Sequence, residues 1–413
     1  MKAVVFTLGC KVNECESDSL LQALENKGYQ VSDKLEPADI YIINTCAITA
    51  EAEKKSRQAV SRVLKLNQNA KVIVTGCAVE KSKLNFEGKN VSLITGTFGK
   101  NKLVDMLDET GVKIFPQTCE YEESFPVKPL RTRTYIKVQD GCNNFCSYCI
   151  VPYLRGRSRS RDPKKVIEEI RATNPKETVI NGINLSAYNY NGITLTGLMR
   201  ALKDENTRIR LGSLEVGVID REFLTALSNL KDFAPHFHLS LQSGSDAVLK
   251  SMNRHYTLEE YASKVDLIRE FFPDAGITTD IIVGFPTETE EDFVSTINFV
   301  DRIKFTDIHP FIFSPRSGTV AYKMKDLPHQ IKKARLDKLL EKKQECKLRF
   351  STQMIGKTLK FIQEEKKDGY HVGYSENYLR LYVKDLKQTN GEEIKVKVIA
   401  SFNDGAIAEP IDM

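Results

Sequence analysis

Residues 134–149 read TYIKVQDGCNNFCSYC, a strand-forming run that empties into a CxxxCxxC loop. Residues 134–139 are the first of six strand candidates; the others are 178–183, 208–215, 236–243, 276–284 and 307–314. Helical patterns centre between them near 168, 198, 225, 264 and 296. Six strand–helix units fall short of a closed eight-stranded barrel, so residues 134–327 read as an open, partial TIM-like barrel. Such folds keep their chemistry at the carboxyl ends of the strands, where Cys142, Cys146 and Cys149 follow. Three thiolates on one loop suit a soft metal, and zinc or an iron–sulfur cluster both fit. Structural zinc takes four protein ligands, and no fourth Cys or His follows nearby. Three ligands would instead leave one iron of a 4Fe-4S cluster open.

Toward the amino terminus, AVVFTLG (3–9), DIYIINT (39–45) and KVIVTG (71–76) read as strands separated by helical patterns over Ser17–Lys27 and Thr49–Asn67. The alternation predicts a Rossmann-like parallel sheet over residues 1–115. Cys10, Cys46 and Cys77 each follow one of these strands, so all three lie along one sheet edge, where open α/β folds bind ligands. Gly9 and Gly76 suit the sharp turns required there. This second trio is either another metal site or a set of coincidental core cysteines.

Residues 116–133, with Pro116, Pro126, Pro129 and the acidic run Glu120–Glu123, read as a linker. Residues 328–350 form a basic helical pattern with Ile331, Leu336, Leu339 and Leu340 facing inward. Residues 351–413 alternate in short runs (LKFIQ, YLRLYVK, IKVKVIA) divided by Gly and Asn turns, as in a small all-β barrel.

The 413 residues are 41% hydrophobic and 28% charged, which excludes long disorder and suits two to four domains. No apolar run approaches a membrane span, and Met1-Lys2-Ala3 enters a strand rather than a signal peptide, so a cytoplasmic location is expected. Nine cysteines in such a chain point to metal, catalysis or core thiols before disulfides. The net charge of +5 is concentrated. Residues 131–171 hold ten basic against four acidic side chains, and residues 328–350 hold eight against three. An anionic macromolecule is therefore an expected partner, with a solvated helix face as the alternative.

These motifs together resemble the radical S-adenosylmethionine methylthiotransferases. TLGCKVNECES, INTCAIT and VTGCA resemble that family's N-terminal domain, and QDGCNNFCSYCIVPYLRGRSRSR resembles its cluster loop and arginine-rich tail. HLSLQSGSD and TDIIVGFPTETEEDF resemble its later barrel strands, and residues 351–413 its RNA-binding TRAM domain. The GCKVN and NTCAIT forms are most similar to the branch acting on threonylcarbamoyladenosine in tRNA. Asn181, Thr287 and GSLEV (212–216) depart from the family pattern without touching a cysteine.

The resemblance implies a 4Fe-4S cluster on Cys142, Cys146 and Cys149 that binds and cleaves S-adenosylmethionine. It implies a second cluster on Cys10, Cys46 and Cys77 that carries the sulfur, with two S-adenosylmethionine consumed per methylthio group placed on carbon 2 of adenine. Tyr148, Gly182, Asn184, Ser213, Glu215 and Gln242 are the candidate S-adenosylmethionine contacts. Gln242 is placed by alternation in HFHLSLQS, which turns Phe237, Leu239 and Leu241 outward and His236, His238, Ser240 and Gln242 toward the lumen. His238 is expected to be a satisfied interior histidine.

Arg155, Arg157, Arg159 and Arg161, alternating in extended chain, are expected on RNA phosphates, with ion pairs to barrel carboxylates as the alternative. Phe361, Tyr370, Tyr374, Tyr378 and Tyr382 are either base-stacking platforms or barrel core. Cys15, Cys119 and Cys346 are expected to be dispensable. The chain is expected to act as a monomer on tRNA carrying threonylcarbamoyladenosine 3′ of the anticodon, with an electron donor such as flavodoxin or ferredoxin. Rival readings are action on isopentenyl-adenosine tRNA or a ribosomal-protein aspartate, or a non-catalytic RNA-binding protein with structural metal.

Overall fold

A computed structural model of the chain describes all residues except 89, 124–127, 129–131, 385, 387–390 and 412–413. Pro126 and Pro129 of the expected linker lie outside the described residues.

The amino-terminal unit alternates β1 (Lys2–Thr7), α1 (Lys11–Asn26), β2 (Gln30–Ser32), β3 (Ile40–Thr45), α2 (Ala50–Leu66), β4 (Lys71–Gly76), α3 (Cys77–Lys81), β5 (Leu93–Thr95) and β6 (Gly111–Lys113). The strands form one parallel sheet in the order β2-β1-β3-β4-β5-β6. IYIINT of β3 is buried along its whole length, as a central strand covered on both faces requires. α2 starts where the Thr49 side chain accepts from the Ala52 N–H, with Glu51 and Glu53 in the first turn.

The central unit runs through β7 (Arg133–Asp140), α4 (Val151–Arg155), β8 (Arg159–Ser160), α5 (Pro163–Thr173), β9 (Glu177–Gly182), β10 (Asn189–Tyr190), β11 (Ile193–Thr194) and α6 (Leu195–Ala201). It continues with β12 (Arg208–Leu211), β13 (Ser213–Leu214), α7 (Arg221–Ser228), β14 (His236–Leu239), α8 (Asp246–Ser251), α9 (Leu258–Phe271), β15 (Gly276–Val283), α10 (Glu290–Ile303) and β16 (Asp307–Ile312). The expected strand 208–215 is interrupted at Gly212: β12 pairs with β9, while β13 pairs with β14. The result is a curved parallel wall of six strand positions, open between β7 and β16. Phe237, Leu239 and Leu241 are fully buried in the core under the outer helices, as the alternation required.

α11 (His329–Gln353) packs along β16 and α10. Its inward face differs from expectation: Leu339 is buried, but Ile331 and Leu340 are exposed, and Lys332, Arg335, Cys346 and Phe350 turn inward. The seam is partly ionic, with Arg335 on Glu288 (2.7 Å) and Lys343 on Asp307 (2.7 Å). Among the described residues, no helix is long and apolar enough to cross a membrane.

β17 (Thr358–Lys367), β18 (Tyr370–Ser375), β19 (Arg380–Val383), β20 (Glu393–Phe402) and β21 (Gly405–Pro410) close into a small barrel. It docks on the amino ends of the central strands, opposite the cysteine loop. There the buried Glu177 pairs with Arg133 (2.8 Å), Arg208 (2.6 Å) and Arg210 (2.6 Å). Arg133 and Arg208 also reach Glu364 (3.0 Å) and Glu393 (2.9 Å) of the small barrel. Tyr378 stacks between His236 and Tyr374, with centroids 4.2 and 4.6 Å away. Phe361 is buried in the barrel core, and Tyr382 and Tyr370 pack around Phe402. Phe361, Tyr374 and Tyr378 are thus taken up by core and docking contacts, whereas Tyr370 stays partly exposed beside Tyr382 and Phe402.

Removing Glu177 would leave three buried guanidinium groups around one vacancy. Glu177→Ala is expected to cost about 3–5 kcal/mol in chemical denaturation, the range for breaking a buried ion pair from one side. A midpoint within error of the parent would contradict this account of the junction.

Candidate functional site

β1, β3 and β4 are neighbours in the sheet, so the turns after them bring Cys10, Cys46 and Cys77 to adjacent positions at the point where strand order reverses. Gly9 and Gly76 sit at φ +112° and +100°, and a Cβ on Gly9 would come within 2.8 Å of the Cys46 Cβ. Asn13 ties the turns together by donating to the carbonyls of Leu8 (2.7 Å) and Thr45 (3.0 Å). Ser56 Oγ accepts from the Cys46 N–H at 3.1 Å. Cys46 and Cys77 are buried, and burial pushes the Cys46 thiol up to about 12 and raises that of Cys77.

The second trio follows β7. Gly141, at φ +70°, lies against the Arg157 carbonyl, where any Cβ would collide. The Cys142 Sγ accepts from the Asn144 N–H (3.3 Å) and faces the Asn184 amide (3.7 Å), while Arg254 approaches the Cys146 Sγ at 3.5 Å. Glu215 gathers these donors: Asn144 Nδ2 at 2.7 Å, Arg254 at 2.9 Å and Asn184 Nδ2 at 3.4 Å. Burial pushes Cys149 up to about 12 as well.

One cavity of about 470 Å³ touches both trios. Cys10 and Cys46 line it from the sheet edge, and Cys149 and Tyr148 from the loop. Gln242 and Asp280 come from the barrel, and Ile48, Ile282, Phe311 and Phe313 supply apolar walls. Of the expected cofactor contacts, Tyr148 and Gln242 line this cavity, whereas Asn184 and Glu215 flank the cysteine loop. Gly182 packs against Gln139, which would collide with a larger residue there, and Ser213 is exposed outside this cavity. His238 is held between Thr278 (3.0 Å) and Asp280 (3.2 Å).

The arginine run is a correction. α4 and the turn at Gly156 (φ +70°) break the extended chain that would have aligned the four side chains. Arg155 is 2% exposed and pairs with Glu16 (2.8 Å) and Asp140 (3.2 Å), while its other nitrogen donates to Asn13 (2.7 Å). Arg159 pairs with Asp140 (3.1 Å), and Arg161 with Glu123 (2.7 Å) and Glu169. These three are therefore closed to a phosphate. Arg157 is exposed, over the Phe145 ring at 4.6 Å.

Lys137 (3.2 Å) and Lys100 complete the ring around Glu16. Burial alone would raise the Glu16 carboxyl, but Arg155, Lys100 and Lys137 outweigh it and hold the group well below the usual range. These residues come from the first helix, the segment after β5 and the barrel, so the network joins the two units. The described part of the expected linker is pinned down too: the Tyr121 hydroxyl donates to the Lys137 carbonyl at 2.6 Å. Arg254, Glu16, Asp140 and Asn13 were missed from sequence. Only the short-range NExE-like spacing after Cys10 placed Asn13 and Glu16 near a thiol, and Arg254 carries no periodic signal.

The donor chemistry fits iron–sulfur clusters. Burial favours the thiol over the thiolate at Cys46, Cys77, Cys142 and Cys149 unless a cation takes the thiolate, and each trio offers three sulfur donors. Among the described residues, no three His, Cys, Asp or Glu side chains converge tightly enough for a single metal ion. A cluster, being larger than one ion, holds its thiolates farther apart.

A profile of the Radical SAM superfamily matches residues 136–300, and one described as Uncharacterized protein family UPF0004 matches residues 2–96. The chain is 34% identical to a threonylcarbamoyladenosine tRNA methylthiotransferase, MtaB, of Bacillus subtilis, over 100% of this chain and 98% of the relative. It is 37% identical to the protein of that name in Thermotoga maritima, with the same coverage. A tRNA-2-methylthio-N(6)-dimethylallyladenosine synthase of Thermoanaerobacter is 36% identical over 87% of this chain and 81% of the relative. In fold, the chain is similar to the radical S-adenosylmethionine methyltransferase TsrM of Kitasatospora setae, with a TM-score of 0.55 and 15% identity over 76% of this chain and 75% of that one.

Arg155→Met should cost about 3–5 kcal/mol in denaturation of the apoprotein, because Glu16 and Asp140 lose their shared partner. Arg157→Ala should change stability by less than about 0.5 kcal/mol, as exposed substitutions do. Equal stability of the two variants, with RNA affinity lost only on Arg155→Met, would restore the phosphate-contact reading.

Proposed function

The chain belongs to the radical S-adenosylmethionine methylthiotransferase family, and from that premise we propose that it methylthiolates carbon 2 of threonylcarbamoyladenosine in tRNA. The observation that carries the proposal is the single cavity bordered by both cysteine trios, which would let a base meet two cofactors at once. The end-to-end match to relatives named for threonylcarbamoyladenosine supports the substrate; the dimethylallyladenosine relative has similar identity but is matched over less of its length.

Cys142, Cys146 and Cys149 would hold one 4Fe-4S cluster and Cys10, Cys46 and Cys77 another. When bound, the first supplies the electron that cleaves S-adenosylmethionine to a carbon radical and the second carries the sulfur to be transferred, with two S-adenosylmethionine used per product. The chain's own residues bind, orient and shield. Asn144 and Asn184 present N–H donors to Cys142, which favour its thiolate, and Arg254 donates toward the Cys146 sulfur. Glu215 fixes those donors in place. Asn13 sets the turn that aims Cys10. Ile48, Ile282 and Phe313 narrow the water-accessible part of the cavity, and Tyr148 and Gln242 offer polar groups to a bound cofactor. A C–H bond of adenine offers no proton that these side chains could usefully abstract, so the protein's task is placement. A small electron-transfer protein of the flavodoxin or ferredoxin class would supply the reducing electron, and the enzyme would act as a monomer in the cytoplasm.

Mass spectrometry of tRNA nucleosides from a host lacking its own enzyme tests the proposal. Expression of this chain should produce the 2-methylthio form of threonylcarbamoyladenosine. The same group on isopentenyl-adenosine alone would overturn the substrate, and no change with both clusters confirmed would overturn tRNA as the target. With purified protein, Cys142→Ala, Cys146→Ala or Cys149→Ala should abolish reductive cleavage of S-adenosylmethionine. Cys10→Ala, Cys46→Ala or Cys77→Ala should retain that cleavage and lose methylthiolation; loss of both in every variant would contradict two separate sites.

A further inference from the structure

The cavity between the trios has apolar walls and a polar floor. Ile48, Ile282, Phe311 and Phe313 form the walls, and Phe311 is 46% exposed. Below them Gln242 and Asp280 face the space, with His238 on Asp280 at 3.2 Å and the His309 ring 5.6 Å from that of His238. The walls suit an adenine ring. The floor does not suit a hydrocarbon substituent on that ring, because a dimethylallyl group would cover Asp280 and Gln242 without hydrogen-bonding to either. A threonylcarbamoyl group brings a hydroxyl, a urea and a carboxylate, but its carboxylate would meet Asp280.

A cation is therefore required, and none of the residues lining the cavity is Lys, Arg or His. The cation nearest in sequence to a lining residue is Lys11. It directly follows Cys10, is the first residue of α1, is exposed, and its ammonium makes no ion pair among the described residues. Its positive charge acts on Asp280 and on His236, both in the barrel. The two other charged runs of the region, around Glu16 and around Glu53, are already consumed by internal pairs.

We propose that Lys11 receives the carboxylate of the substrate's N6 substituent and so selects threonylcarbamoyl over dimethylallyl adenosine. This rests on the substrate reading above. Lys11 then acts as a specificity residue, pairing with a group remote from the reacting carbon, and Asp280 with His238 accept and donate to the hydroxyl and urea beside it.

The test is equilibrium binding of three anticodon stem-loop RNAs to the cluster-loaded protein: one with threonylcarbamoyladenosine, one with its carboxylate converted to a carboxamide, and one with dimethylallyladenosine. Parent protein should prefer the acid over the amide by about tenfold, the scale of one charge-assisted hydrogen bond. Lys11→Gln should abolish that preference, and Lys11→Arg should keep most of it. If the parent prefers the acid and Lys11→Gln prefers it equally, the assignment of Lys11 is wrong while the substrate stands. If the parent shows no preference for threonylcarbamoyl RNA over dimethylallyl RNA, the substrate reading itself falls. Weakened S-adenosylmethionine binding in Lys11→Gln, with the acid preference intact, would make Lys11 a cofactor contact and overturn the proposal.

Discussion

Arg155 holds the two halves of the site together. One cysteine trio belongs to the amino-terminal sheet and the other to the barrel, so a shared cavity exists only while those units keep a fixed relation. Arg155 reaches back from the cysteine-loop helix to Glu16 and Asn13 of α1 and across to Asp140 at the end of β7. All of these groups are buried, and a buried ion is tolerated only where its partners are placed well, which leaves the interface little freedom to slide. A second clamp, Arg316 with Glu53 and the Ala50 N–H on Ser314, closes the other side of the cavity.

The barrel is thereby used at both ends for different purposes. Its carboxyl ends face the sheet edge and carry the cysteine loop, while its amino ends are plugged by Glu177, three arginines and a stack of aromatic rings from the small barrel. α11 spans the distance between these ends. Its 25 residues amount to about 37 Å at 1.5 Å per residue. An RNA that places a base in the cavity and also touches the small barrel has to bridge about that distance.

Much of this was legible in the sequence because it depends on backbone periodicity. Cysteines placed directly after strands of a parallel sheet must share an edge, whatever their spacing along the chain, and the strand period fixed Phe237, Leu239 and Leu241 outward. Side-chain destinations were less legible. The alternation of Arg155 to Arg161 implies one face only in extended chain, and α4 with the turn at Gly156 destroys that geometry. Leu340 and Ile331 of α11 looked like core positions, but the helix packs on a seam of carboxylates that draws Lys332 and Arg335 inward instead. Arg254 reaches Cys146 through a loop after α8, and no local pattern marks such a position.

Both trios border one chamber, so two clusters bound there would lie close together. Electron paramagnetic resonance of the anaerobically reconstituted, fully reduced protein tests it most directly. A spectrum broadened by interaction between two spins is expected, collapsing to one simple signal when either trio is replaced by alanine. A fully reduced spectrum equal to the sum of the two single-cluster spectra would contradict the shared chamber.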